Sequence, residues 1–537
     1  MGPSRVNPFT GEILDADIIF DAGFLDFWKS QNENFGTPAP EPMKAIFNLA
    51  ATATGKTATG KTDGTNNDRQ PIPPTLISPH LHTGEGLLPG SHCQICQQMH
   101  SQLGLAATVL ADRGEIQAHG KLPEELVRQG LKEVVMHEVG HTLGLRHNFK
   151  ASTWKTLAEI EDPNRTAEAT SASVMDYLPV NIAPAGVKQG NYVTPTIGPY
   201  DYWAIEYGYS SIGGDEVAGL AKLASRGTEP GLDFGTDEDL FVQNDPRVNL
   251  FDLGKSPEEY ARRRIALVQD LLPKVVERSV TAGDGYQRAR VAFGLLFREY
   301  WHNVAVAAPM VAGIYANRDH KGDANARPPL QIVEPAKQRD GLKLIIDQGF
   351  RVPVISPQVL NSLAASNWFH WGTMPSFRGD YPIHAAILQQ QSMLISYLLS
   401  PSTLGRLQDS EVKVEAEADA YTAAEHLKTV VEAAFAEFRT ETAGEFTPRK
   451  PLIDSFRRNL QRYALRELSY LVTLPFTATD DARTLARMHL SQLDQQITTL
   501  LGRADVKLDD YSRSHLLDCQ ERIRKVLQAE VTVPYVN

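Results

Sequence analysis

The chain has 537 residues, 42% hydrophobic and 22% charged, the balance of globular protein with three or four domains at roughly 100–200 residues each. Its 53 Lys+Arg against 65 Asp+Glu leave a net charge of −12, which argues against nucleic acid as the main partner, because phosphate binding draws on basic surface. No apolar run approaches the ~20 residues that span a bilayer, and the opening "MGPSRVNPFTGEILDADIIF" lacks the basic and apolar regions of a signal peptide.

In chain order, "GEILDADIIFDAGFLDFW" (11–28) alternates apolar and polar residues after a turn, predicting a strand over 13–20 and then a short helix. Residues 51–74 are small and polar without an apolar period, a flexible insertion. Within them "GKTATGKT" (55–62) fits a phosphate loop by letter. Such a loop needs a buried strand before it and a helix after it, and neither is present, so no nucleotide-binding residue is assigned. Three cysteines, Cys93, Cys96 and Cys519, make no disulfide scaffold. "CQIC" is read as ordinary thiols or a simple disulfide rather than a redox pair or half a zinc knuckle with His92 or His100.

Residues 93–112 read as a helix, and Pro123 opens another. A loop-rich stretch over 150–198 leads to a short helix at 200–209, and the Gly/Asp-rich segment 227–240 is the best boundary. Helical patterns then cover 256–273, 283–315, 335–347, 382–399, 412–440, 451–472, 480–502 and 508–530, interrupted by a long loop at 317–329. In that loop Asp319, His320 and Asp323 raise the idea of a second metal, but a polar loop with a lone histidine is the simpler reading. His370 and His384, beside aromatics, read as packing histidines.

The chemistry lies in "HEVGHTLGLRH" (137–147). Pro123 suits a first helical turn, Glu124 and Glu125 complement the helix dipole, and Leu126, Leu131, Val134, Val135 and Val139 offer apolar surface. Four residues apart, His137 and His141 share one helix face and can converge on one ion. Glu138 beside them can reach a metal-bound water without being a ligand. Gly144 tolerates the left-handed conformation that ends a helix, so that His147 can turn back to the same ion. Three neutral imidazoles leave a fourth position for water, the mark of a catalytic zinc site, where the carboxylate takes the water's proton. With 15 His and 39 Gly in the chain, chance would produce H-E-x-x-H-x-x-G-x-x-H only roughly once in twenty thousand such sequences, which disposes of a surface helix with stray histidines.

The motif resembles the signature of the metzincin clan of zinc endopeptidases. "SVMDYLP" (173–179), 28 residues past His147 at Met175, is similar to the clan's Met-turn, and "GPYDYWAIEYGY" (198–209) to the helix that follows it. The resemblance implies that Met175 forms a structural turn beneath the metal. It also implies that Tyr177 matches a tyrosine able to touch zinc or the oxyanion; the plainer reading is a core tyrosine. "HTLGLRHNFKAS", "GPSRVNPFTGEILDADI" and "VAGIYANRDHKGDANARPP" look closest to a bacterial family of large zinc-dependent metalloproteases. Its members look secreted or periplasmic, a location expected here if the chain is a fragment of a longer precursor. A gluzincin, with Glu159 or Glu161 as third ligand, is the weaker zinc alternative because His147 and Gly144 already complete the spacing.

The expected fold is α+β. Residues 1–226 would form a metzincin-like protease domain, with a small twisted sheet short of N-terminal strands and an active-site helix. Residues 227–350 would form a helical extension and 351–537 a helical C-terminal domain. The expected function is zinc-dependent endopeptidase, with one Zn²⁺ per chain on His137, His141 and His147, Glu138 as general base, and a protein or peptide as substrate. The alternative is a zinc-binding but catalytically incompetent fragment or scaffold.

Overall fold

The structure, a computed structural model, describes residues 4–18, 94–116, 121–162, 164–184, 186–242, 245–365, 378–441, 443–474 and 478–529. The 51–74 insertion with its phosphate-loop look-alike, the helix expected at 21–28, the side chains of Cys93 and Cys96, and His370 lie outside them. Helices dominate the described residues, with three two-stranded sheets beside them. The α+β expectation stands, and the small twisted sheet is represented there by a hairpin. In it β1 (Ser4–Val6) pairs antiparallel with β2 (Ile13–Ala16), Ser4 opposite Ala16. No described helix is long and apolar enough to cross a membrane.

Helix α1 (Gln94–Asp112) precedes α2 (Glu124–Thr142), which carries the first two histidines of the cluster. The 150–198 stretch is irregular apart from single helical turns, and α3 (Pro199–Tyr209) follows as expected. Two short helices, α4 (Glu216–Ala224) and α5 (Asp237–Val242), were not anticipated; Asp215 caps α4 by accepting from Ala218 N at 3.1 Å.

Beyond them come α6 (Pro257–Leu271) and α7 (Gln287–Ala305). The expected helix 283–315 stops about ten residues early. Pro309 has no N–H to continue the ladder, Ala312 takes φ +57, and the chain turns into β3 (Ile314–Ala316). β3 pairs with β4 (Leu330–Ile332), so the 317–329 loop is the tip of a hairpin. Next come α8 (Pro335–Ile345), α9 (Ile383–Leu398), α10 (Pro401–Glu411) and α11 (Ala423–Ala434). The expected helix 412–440 is thus a connection followed by a shorter helix. "VKVEAEADA" has no apolar face to bury, Val412 is exposed, and Thr422 starts α11 afresh by accepting from Glu425 N at 3.1 Å. The chain closes with α12 (Ser455–Thr473), α13 (Asp480–Gly502) and α14 (Asp510–Gln528), packed together and started by caps at Asp454, Thr479 and Asp509. The short parallel pair β5 (Gly444–Glu445) and β6 (Val506–Lys507) joins the segments before α12 and α14.

The buried face of α2 differs from the apolar stripe expected for it. Leu126 and Val134 are buried, but Val135 and Val139 are 36% and 39% exposed, while Glu133, His137, Glu138 and Gly140 turn inward. The helix is rotated so that Glu133, His137, Glu138 and Gly140, not Val135 and Val139, face the protein.

One buried ion pair locks the frame behind the site. Arg264 on α6 donates to Glu299 on α7 at 2.6 Å, to Gln102 on α1 at 3.1 Å and to the Val180 carbonyl at 3.3 Å. It therefore holds three helices and the segment just after Tyr177. Removing one partner of such a pair leaves an uncompensated charge, so Glu299→Ala is expected to destabilise the fold by about 3–5 kcal/mol. Denaturant unfolding followed by circular dichroism measures this; a loss under about 1 kcal/mol would make the pair expendable.

Candidate metal centre

Helix α2 ends in a Schellman turn. Gly144 N donates to the His141 carbonyl and Leu145 N to the Gly140 carbonyl, both at 3.0 Å, while Gly144 takes φ +84. The chain then doubles back, and His137, His141 and His147 each offer a ring nitrogen within 4.8 Å of the others. Among the described residues this is the one group of three or more His, Cys, Asp and Glu side chains arranged to hold an ion.

Each imidazole is oriented by an oxygen at its other nitrogen. His137 Nδ1 donates to the Val174 carbonyl at 2.8 Å and His141 Nδ1 to the Leu145 carbonyl at 3.0 Å. His147 Nδ1 donates to the Asp237 carboxylate at 2.9 and 3.0 Å. A proton held on Nδ1 leaves the lone pair on Nε2, the tautomer a ligand requires. Burial and then the neighbouring His141 push His137 down to about 3, and burial also lowers His141. Both rings are therefore neutral at pH 7, and the donor set fits zinc.

Glu138 is buried next to His137, and its charge acts on His141. The Tyr177 hydroxyl donates to His147 Nε2 at 3.0 Å. Its ring packs against His137, Phe149 and Phe251 with centroids 5.4, 5.3 and 6.0 Å away, so the ring is core while the hydroxyl faces the cluster. Met175 is fully buried beneath α2. A Cβ on Gly140 would stand 2.2 Å from its sulfur, so only glycine lets the turn approach so closely.

Asp201 on α3 holds that turn. It accepts from Ser173 Oγ at 2.6 Å, Val174 N at 2.9 Å and Gly198 N at 2.8 Å, thereby fixing the carbonyl that orients His137. Gly140, Asp201 and Asp237 were missed in the sequence. Gly140 sits visibly inside the motif and Asp201 at a capping position behind Pro199, but Asp237 lies in an acidic run that gives no hint of its partner. The segment 227–240, read as a boundary, lies against the histidine loop: Phe149 N donates to the Gly235 carbonyl at 2.6 Å and Gly235 N to Asn148 Oδ1 at 3.1 Å.

The other candidates are engaged elsewhere. Glu159 closes a capping box with Thr156, and Glu161 pairs with Arg263, so neither joins the histidines. Asp319 is taken by Arg327 at 2.8 Å, and Asp323 accepts from His320 N at 2.7 Å. His384 stacks on Phe456 at 4.5 Å. Cys519 is a buried free thiol. The sequence profile of a protein family described as Met-zincin matches residues 119–442, more than half of the chain. No curated protein and no solved structure matches it.

Proposed function

The chain belongs to the Met-zincin family, and from that premise we propose that it is a zinc-dependent endopeptidase. His137, His141 and His147 are its metal ligands, one Zn²⁺ per chain, and Glu138 is its general base. The observation that carries this reading is the set of three oxygens at the three Nδ1 atoms, which turns the three Nε2 atoms toward one another, with the Tyr177 hydroxyl beside that of His147. Zinc on three neutral imidazoles supplies Lewis acidity and brings a water's pKa to about 7.

The remaining work falls to the chain itself. Glu138 accepts a proton from the attacking water as its oxygen bonds to the carbonyl carbon, and returns that proton to the amine as the C–N bond breaks. Met175 supports the ligand helix from below through Gly140. Tyr177 offers its hydroxyl to the oxyanion that develops on the carbonyl oxygen. A donor made useful mainly in the transition state is worth about 3 kcal/mol. Tyr177→Phe, which keeps the packed ring, is therefore expected to lower turnover roughly ten- to a hundredfold or more, with KM and zinc content little changed. Parent-like turnover would return Tyr177 to the core.

The class of activity is tested with a broad peptide library and the full chain. Cleavage should stop on treatment with a chelator and return with zinc. Cleavage that survives chelation rejects zinc catalysis, and a zinc-loaded chain that cuts nothing favours a zinc-binding scaffold.

A further inference from the structure

Two of the three histidines are oriented by backbone carbonyls, Val174 and Leu145. His147 alone has a side chain as its direct Nδ1 partner, Asp237, ninety positions away. It also stands beyond the end of α2, so no helical ladder holds its backbone. We infer that Asp237 is a positioning residue for His147, fixing the ring and its Nδ1–H tautomer so that the third ligand stays on the metal. This rests on the zinc reading of the histidine cluster.

Asp237 is itself presented from the helical half of the protein. Thr236 Oγ1 donates to it at 3.3 Å in the first turn of α5. On either side, Asp239 pairs with Arg318 and Asp233 with Arg327, both at 2.8 Å, and Thr228 Oγ1 donates to the Ala324 carbonyl at 2.7 Å. Arg318, Ala324 and Arg327 all lie in the β3–β4 hairpin tip. The hairpin therefore clamps the segment that carries the carboxylate, and through it the third ligand. A charged acceptor also makes the imidazole a more basic ligand than a carbonyl would.

The test reads zinc affinity of the full chain by chelator competition, the visible spectrum of the cobalt(II)-loaded protein, and the unfolding midpoint of the metal-free protein. Asp237→Ala is expected to weaken zinc binding about 10- to 100-fold and to change the cobalt spectrum, with the metal-free midpoint unmoved. Asp237→Asn keeps an acceptor oxygen without the charge and should lose less, while Glu238→Gln should bind as the parent does. Zinc affinity of Asp237→Ala within about twofold of the parent overturns the inference. Should the alanine variant fold poorly without metal, parent-like affinity and cobalt spectrum in Asp237→Asn overturn it instead. A parent chain that takes up no zinc overturns the underlying site reading, and is thereby told apart from failure of the inference alone.

Discussion

Glu138→Gln is expected to keep its zinc and to lose peptide cleavage by about 10²–10⁴-fold, the usual worth of a positioned general base. The amide has the carboxylate's shape but cannot take the water's proton. Because three histidines already supply the ligand set, the metal should stay. The measurement pairs kcat/KM on a library-derived peptide with metal analysis of the same preparation. Equal turnover in variant and parent would remove Glu138 from the mechanism. Loss of zinc along with activity would make it part of the metal-holding set instead.

The second large effect is on the metal itself. Replacing His137, His141 and His147 together by alanine is expected to take the zinc content of protein purified without added metal from about one per chain to none. Zinc content unchanged in the triple variant would sink the ligand assignment, whatever the activity does. The other described candidates, Glu159, Glu161, Asp319 and Asp323, are occupied by a cap, ion pairs and a backbone N–H. None is poised to replace the histidines.

The histidine cluster was legible in the sequence because its geometry is local. Helical periodicity places His137 over His141, and a single glycine, found at φ +84, returns the chain for His147. The starts of the helices expected at 256 and 508 were legible for the same reason, since Ser256 and Asp509 announce them. What the sequence hid is nonlocal. Val135 and Val139 were counted as core by polarity alone, yet α2 turns Gly140 onto Met175 and leaves both valines on its exposed side. The early end of α7 and the split of 412–440 follow from a proline and from missing apolar surface, both visible but outvoted by helix-forming neighbours. Asp237 leaves no sequence trace of its role, because only tertiary packing brings an exposed acidic run onto His147.

The Schellman turn has a consequence for how much of the centre its motif contains. Ring-closure entropy grows only with the logarithm of the span, each doubling adding about 0.6 kcal/mol. Within residues 137–147 the chain brings three imidazoles together, and the turn's own Leu145 carbonyl aims one of them. Aiming the other two requires closures of 37 and 90 residues, to Val174 and Asp237. The entropy of closing these long loops is met by the packing of the whole fold, not by the motif. An eleven-residue peptide with this sequence would carry every ligand atom, and only one of its three imidazoles would have its aim.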